Sequence, residues 1–316
     1  MSVVAAVDCG TNSIRLLISE QTPTGLREIT RQMTIIRLGE GVDATGKIDP
    51  AAIERARVAL SAYVDTMLAH KVTAVRMVAT SATRDASNKD DFFAMTADLL
   101  GAVVPGACAE VISGAEEAEL SFIGAVADIP DTDRPVCVID LGGGSTEFVV
   151  GKKTGEILGA YSTQMGCVRL TERLMVSDPP TAEEIAQARE YVDTQLTVAL
   201  DNVPIMQASM VVGCAGTFTT VAALALGLDS YDPQRIHGSV HTADRLRGET
   251  QRLIGETSQQ RAAHSVMHLG RADVIAGGSV VIEQILAMMQ RLGVSDSVTI
   301  SEKDILDGIV ARLLEE

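Results

Sequence analysis

The sequence predicts an α/β protein built from two similar halves, and three observations predict it. Short β-rich apolar runs alternate with segments of helical period. An apolar run ending in Asp-x-Gly-x-x-Ser occurs twice, at Val4–Ser13 and Val136–Ser145, with aspartates Asp8 and Asp140 132 residues apart. A second kind of strand end, rich in small and hydroxyl residues, recurs at Met77–Thr83 and Val211–Thr217 with a spacing of 134. Two independent matches at nearly one spacing mark a duplicated domain.

Taken in order, Val3–Val7 reads as the first strand; no basic region precedes it, so it is not a signal peptide. Ile14–Ser19 and Met33–Leu38 read as the next strands. Asp49 is a candidate N-cap and Pro50 stands at the first helical position, which predicts a helix over 51–69 with Ile53, Ala56, Leu60, Tyr63, Val64 and Met67 on its apolar face. Ala74–Ala79, Val136–Asp140, Glu147–Gly151 and Met210–Cys214 are further strands. Thr181 with Glu184 forms a capping box, followed by the stripe Ile185, Ala188, Val192, Leu196, Ala199. Residues 276–292 and 302–314 read as helices. The halves meet near 118–130, where Asp128-Ile129-Pro130-Asp131 breaks the pattern. The expected domains are therefore 1–124 and 125–316, with the final helix, 302–316, a candidate to pack back on the first domain.

Composition narrows the function. The chain has 316 residues, 46% apolar and 22% charged, ordinary values for globular domains. Its net charge of −16 makes it a poor coat for nucleic acid or an anionic membrane, and with 3% aromatics and no Trp it lacks stacking platforms for single strands. No apolar run approaches the ~20 residues of a membrane span. The five cysteines form no CxxC pair, which indicates neither a disulfide framework nor a zinc knuckle and fits a cytoplasmic protein. His237/His241 and His264/His268 have i, i+4 spacing but no acidic or Cys partner at ligand spacing, so a metal site is not expected there.

The repeated loops carry the chemistry. A strand ending in Asp, a small-residue turn and a returning strand make a hairpin whose turn amides point one way, and Gly permits positive φ there. Such a nest of N–H groups binds phosphate; Ser and Thr add hydroxyls, and the Asp can hold Mg2+ or its waters. One such loop is as readily a tight turn. Two of them, Gly10-Thr11-Asn12-Ser13 and Gly142-Gly143-Gly144-Ser145, would clamp a phosphate chain from both sides.

Asp8-Cys9-Gly10-Thr11-Asn12-Ser13, Ile112-Ser113-Gly114-Ala115-Glu116-Glu117-Ala118, Asp140-Leu141-Gly142-Gly143-Gly144-Ser145-Thr146-Glu147 and Gly213-Cys214-Ala215-Gly216-Thr217 resemble the motifs of the Ppx/GppA family of exopolyphosphatases and guanosine pentaphosphate phosphohydrolases. The resemblance runs from residue 3 to about 310. It implies duplicated ribonuclease-H-like domains of the actin/Hsp70/sugar-kinase (ASKHA) superfamily with an interdomain cleft, and it looks like the short two-domain form. It implies Mg2+, or Mn2+ in its place, associated with Asp140 and Glu147, and Asp8 as the matching carboxylate of the first half. Ser145, Thr146 and the intervening glycine amides would hold the terminal phosphate, with Arg84 near the phosphates and Asn88 one turn further on. Glu147 read without the family is as readily an exposed strand residue. Arg15, in a returning strand, is expected to point away.

Ser113-x-x-Glu116 fits a capping box, which makes Glu116 structural and leaves Glu117 as the candidate base; the family analogy also places the water-activating carboxylate at the second glutamate. Without that context both glutamates read as first-turn residues favoured by the helix dipole. Gly216 and Thr217 resemble the superfamily's adenosine-contact turn, which leaves open a nucleotide, a distal phosphate or nothing, and Gly277-Gly278 is a second such candidate. Close packing explains these glycines equally well. The expected enzyme removes the terminal phosphate of polyphosphate, short chains favoured. The rivals are conversion of pppGpp to ppGpp, a non-catalytic nucleotide-binding module of the same fold, and a kinase. The family pattern also implies a homodimer.

Overall fold

The computed structural model describes residues 2–23 and 25–315. The chain divides into two compact units: one holds the chain through Leu120 and again from Ile305 onward, the other is Ser121–Asp304. The first division falls inside the helix Gly114–Ala125.

In the first unit, β1 (Val3–Cys9), β2 (Ser13–Thr22), β3 (Gly25–Ile35), β4 (Ala74–Ala79) and β5 (Ala109–Val111) form one sheet in the order β3-β2-β1-β4-β5. The β1–β2 and β2–β3 pairs are antiparallel, and β1–β4 and β4–β5 are parallel. The second unit has β6 (Val136–Leu141), β7 (Thr146–Gly151), β8 (Ile157–Thr163), β9 (Met210–Cys214), β10 (Val240–Thr242) and β11 (Ser297–Ile300), in the order β10-β11-β9-β6-β7-β8. From its antiparallel edge this is β8-β7-β6-β9-β11, the first sheet repeated strand for strand with β10 added. Three antiparallel strands followed by two parallel ones is the ribonuclease-H-like order, and it is duplicated as the sequence repeat predicts.

β1 and β6 read as unbroken apolar runs because both of their faces are covered. Ala5, Val7 and Cys9 face one core, shared with Ala52, Ala56 and Leu60 of the helix Pro50–Ala69; Val4 and Ala6 face another, shared with Ile305, Ile309 and Val310 of the helix Ile305–Leu313. Alternation then puts Asp8, at the end of β1, on the face of Val4 and Ala6. In β6, Cys137, Ile139 and Leu141 enter the large core, so Asp140 projects from the opposite face.

The helix starts behave as their sequences dictate. Asp49 accepts the Ala51 N–H at 2.7 Å ahead of Pro50, and Thr181 and Glu184 complete a reciprocal capping box for the helix Ala182–Asn202. Two expectations shift. The third strand is Gly25–Ile35 rather than Met33–Leu38, because residues 36–39 leave the sheet: the amides of Ile36 and Arg37 bond to the Asn12 carbonyl and that of Gly39 to the Thr11 carbonyl. The last helix begins at Ile305 rather than 302, after a turn in which the Ser301 hydroxyl accepts the Lys303 N–H. Gly277 and Gly278 lie inside the helix Ile275–Leu292, where a Cβ would come within 2.7 Å of the Thr171 and Thr217 hydroxyls. They serve close helix packing. Among the described residues, no helix is long and apolar enough to cross a membrane.

Candidate active site

Each unit presents the same loop, built in the same way. Gly10 N donates to Ser13 O at 2.9 Å, and Gly142 N to Ser145 O at 3.0 Å. Among the described residues the positive φ angles fall outside both loops, so these glycines are not there for left-handed backbone. Their orientation comes from a following segment that grips the loop carbonyls. In the first unit Thr11 O accepts from Gly39 N (2.8 Å) and Asn12 O from Ile36 N and Arg37 N (3.0 and 2.9 Å). In the second, Gly142 O accepts from Cys167 N (3.0 Å), Gly143 O from Val168 N and Arg169 N (2.9 and 3.1 Å), and Gly144 O from the buried Arg169 Nε (2.7 Å). In a trans peptide the N–H of the next residue points opposite to the carbonyl. The N–H groups of Gly143, Gly144 and Ser145 therefore all point away from the gripping segment, forming a nest suited to an anion.

The two hairpins differ in charge at one register position. Asp8 lies opposite Arg15, and Asp140 opposite Glu147. Cross-strand partners share a face, so Arg15 points toward Asp8 and not away: its Nε and Nη2 both donate to Asp8 Oδ2, at 3.0 and 2.7 Å. The second hairpin instead sets two buried carboxylates side by side, Asp140 at 7% and Glu147 at 1% exposure. Each accepts a serine hydroxyl: Ser121 Oγ to Asp140 Oδ2 at 2.5 Å, and Ser162 Oγ to Glu147 Oε1 at 2.7 Å. Thr146 is fully buried and its hydroxyl is donated to the Met165 carbonyl.

In the first unit the helix Gly114–Ala125 sorts the glutamates. Ser113 Oγ accepts the Glu116 N–H at 3.2 Å, half of a capping box, but the Glu116 carboxylate turns to Arg76 Nη2 at 2.6 Å instead of folding back. Arg76, which also holds Glu110 from β4, offers a charged donor that outcompetes a backbone N–H. Glu117 is buried and accepts from Arg84 Nη1 at 3.0 Å. The same Nη1 donates to Ile112 O at 3.1 Å, so the guanidinium is fixed against two partners. Thus Glu117 and Arg84, 33 residues apart, are brought together. Asn88 is not part of this group: its amide makes a two-way bond with the backbone of Ile48.

The turn at Gly213–Thr217 is shaped by packing. A Cβ on Gly213 would lie 2.6 Å from the Phe218 ring, and one on Gly216 would lie 2.3 Å from the Arg271 guanidinium carbon. Ala215 between them has φ 66°, a left-handed value that costs a non-glycine residue about 1–2 kcal/mol. Arg271 thereby lies flat over the turn, its Nη1 3.5 Å from Gly216 O. Thr217 is buried beside Cys167, whose thiol burial pushes up to about 11.

These loops and glutamates match a known pattern. The model of the Ppx/GppA phosphatase family matches residues 17–315. The chain belongs to the Ppx/GppA phosphatase family. Among Ppx/GppA relatives, Exopolyphosphatase 2 of Mycobacterium tuberculosis is 52% identical over 314 residues, covering 98% of each chain. Among solved structures, an exopolyphosphatase-like protein superposes with a TM-score of 0.91 at 38% identity, covering 99% of both chains. A Ppx/GppA family member from Aquifex aeolicus gives 0.79 at 29% identity over 99% of this chain and 98% of that one.

Three residues that contact these loops and strand-end acids were not legible in the motifs. Arg15 could have been found from hairpin register, since it is as far behind its turn as Glu147 is behind the second. Ser121 had no motif signal beyond standing one helical turn after Glu117. Arg271 follows no motif and lies 55 residues from the turn it covers.

Proposed function

We propose that the protein is an exopolyphosphatase that removes the terminal phosphate of inorganic polyphosphate with a water activated by Glu117 and a divalent cation held by Asp140 and Glu147. The observation that carries the reading is the nest of three parallel amides at Gly143–Ser145, which suits a phosphoryl group, beside a carboxylate pair that suits the cation. The 52% identity to a protein named Exopolyphosphatase 2 supports the substrate class.

Mg2+ fits this donor set. It keeps several waters and binds through one or two carboxylates rather than in a full protein cage. Among the described residues no group of three or more His, Cys, Asp or Glu side chains forms such a cage, while the hairpin supplies two. When bound, Mg2+ supplies positive charge against the phosphate oxygens. Asp8 is a weaker candidate ligand, since Arg15 takes up its Oδ2.

In the reaction Glu117 takes a proton as the water oxygen bonds to the terminal phosphorus. The bridging P–O bond breaks, its electron pair stays on the shortened chain, and orthophosphate leaves. The Gly143–Ser145 amides and the Gly10–Ser13 loop hold phosphate oxygens, and Arg84 orients Glu117 and offers its charge to the substrate. Gly216 and Thr217, with Arg271 over them, are proposed to hold a more distal phosphate. Short chains are the proposed substrates: beyond these few groups a long polyanion meets a protein of net charge −16.

Phosphate release with Mg2+ from short-chain polyphosphate, long-chain polyphosphate and pppGpp tests the proposal. Fastest release from short chains is expected. Preference for pppGpp would instead make the protein a guanosine pentaphosphate phosphohydrolase. Silence on all three, with nucleotide bound, would replace the hydrolase with a binding module.

A further inference from the structure

We propose that Ser121 is a positioning residue for the cation site, holding Asp140 in the orientation that binds Mg2+; this rests on the proposed role of Asp140 and Glu147. Across the β6–β7 ladder these residues face each other, which puts their Cβ atoms about 4.5–5.5 Å apart. Two like charges so close, both nearly out of solvent, turn apart unless something fixes them. Ser121 and Ser162 each donate to one of the pair.

The Ser121 contact is the more constrained. Ser121 is fully buried, and its single hydroxyl proton is directed at Asp140 Oδ2 at 2.5 Å, the short range of a hydroxyl donating to an ionised carboxylate. Its backbone is fixed within the helix Gly114–Ala125. A donor anchored in a helix fixes one carboxylate oxygen and with it the plane of the other. Groups that orient metal ligands in this way are typically worth 10–100-fold in metal affinity.

The first unit offers an internal contrast. There the equivalent carboxylate, Asp8, faces a cation, Arg15, rather than a like charge. In the hairpin with two acids each carboxylate accepts a serine hydroxyl.

Mn2+ binding to the full-length protein, followed by electron paramagnetic resonance without substrate, tests the proposal. Wild type, Ser121→Ala and Asp140→Asn are compared, with melting temperature recorded for each. Ser121→Ala is expected to bind Mn2+ 10–100-fold more weakly while melting near the wild type, and phosphate release should recover at high Mg2+. Ser121→Cys, close to isosteric but a weak donor, should fall between them. If Ser121→Ala binds Mn2+ like the wild type while Asp140→Asn does not, the role of Ser121 is overturned and the cation site stands. If Asp140→Asn also binds normally, or the wild type binds none, the cation site itself fails and this inference with it. Weak binding by Ser121→Ala that Mg2+ does not rescue, with a lowered melting temperature, assigns the residue to packing alone and also overturns it.

Discussion

Replacing Glu117 by Gln separates the two neighbouring glutamates. The Gln amide oxygen can still accept the Arg84 Nη1 bond now measured at 3.0 Å, and the side chain keeps its volume in a site that leaves Glu117 8% exposed. The change removes the charge-assisted part of one hydrogen bond, about 1 kcal/mol of stability. It also removes the proposed proton acceptor. A general base contributes about 10²–10⁴-fold, which at about 1.36 kcal/mol per decade is about 3–5 kcal/mol of transition-state stabilisation. Turnover should therefore fall at least a hundredfold while the melting temperature moves only a few degrees. Glu116→Gln is the matched control: it weakens a partly exposed pair with Arg76, whose loss is expected to cost under about 1 kcal/mol and to leave turnover within twofold. Phosphate release under saturating Mg2+, with thermal melts on the same samples, reads both. A folded Glu117→Gln enzyme retaining more than a tenth of wild-type turnover, or an equal loss in Glu116→Gln, would refute the assignment of the base.

Four further outcomes follow from the contacts. Gly166→Ala places a Cβ 2.2 Å from Gly143 O and 2.4 Å from Gly144 N, so the loop must move; about 1–3 kcal/mol of stability and most phosphate release should be lost, read by urea melts and turnover. Arg15→Met leaves buried Asp8 without its guanidinium and should cost about 3 kcal/mol by denaturant unfolding, the low end for a broken buried pair because Arg15 keeps a fifth of its side chain exposed. A thiol reagent at pH 8 should label Cys108 alone in the native protein and five cysteines once it is unfolded, since burial holds the Cys137 and Cys167 thiols near 12 and 11 and Cys9 well above its usual value. The Lys303 ammonium, then His237, hold the Asp128 carboxyl below its usual range. A lowered folded pKa gives stability that is complete above the ordinary value near 3.9 and is lost as pH falls through the folded one, so Asp128→Asn should flatten the acid limb of the stability curve below about pH 4.

The sequence made the duplication legible because both copies kept the features that steric and hydrogen-bonding rules demand: a strand buried on two faces, a small-residue turn and a returning strand. Ala74–Ala79 and Met210–Cys214 were placed to the residue for the same reason. The edge strands were not. β3 interrupts its apolar residues with polar runs such as Arg27-Glu28 and Thr30-Arg31-Gln32 over a half-exposed surface, and β8 contains Gly159, where a Cβ would come within 2.6 Å of Pro204. Neither has the apolar density that marks a strand in isolation. The site was legible where its residues are adjacent in sequence, as in the two loops. It was not where a charge arrives from elsewhere. The Arg76–Glu116 pair joins β4 to a helix 40 residues on, and it undid the expected capping box; no local pattern carries that pairing.

Duplication also explains why the two loops are built alike and charged differently. The backbone work is the same in both: a turn closed by one amide-to-carbonyl bond, its peptide planes set by the segment that follows. Changing that would cost hydrogen bonds at several positions at once. The residue opposite the strand-end aspartate is under no such constraint, because swapping a side chain there leaves the ladder intact. An arginine at that position neutralises the aspartate within its own hairpin, as Arg15 does to Asp8. A glutamate there doubles the negative charge, and the burial of Asp140 and Glu147 then makes a bound cation more favourable than at any exposed acidic pair, since less water competes for it. One register position thus separates two loops of the same backbone build into one whose charge is balanced and one that, on the proposed reading, holds a metal. Exchanging Glu147 for Arg should abolish Mn2+ binding while leaving the hairpin folded, because Arg15 shows that the same geometry accommodates a guanidinium over the aspartate.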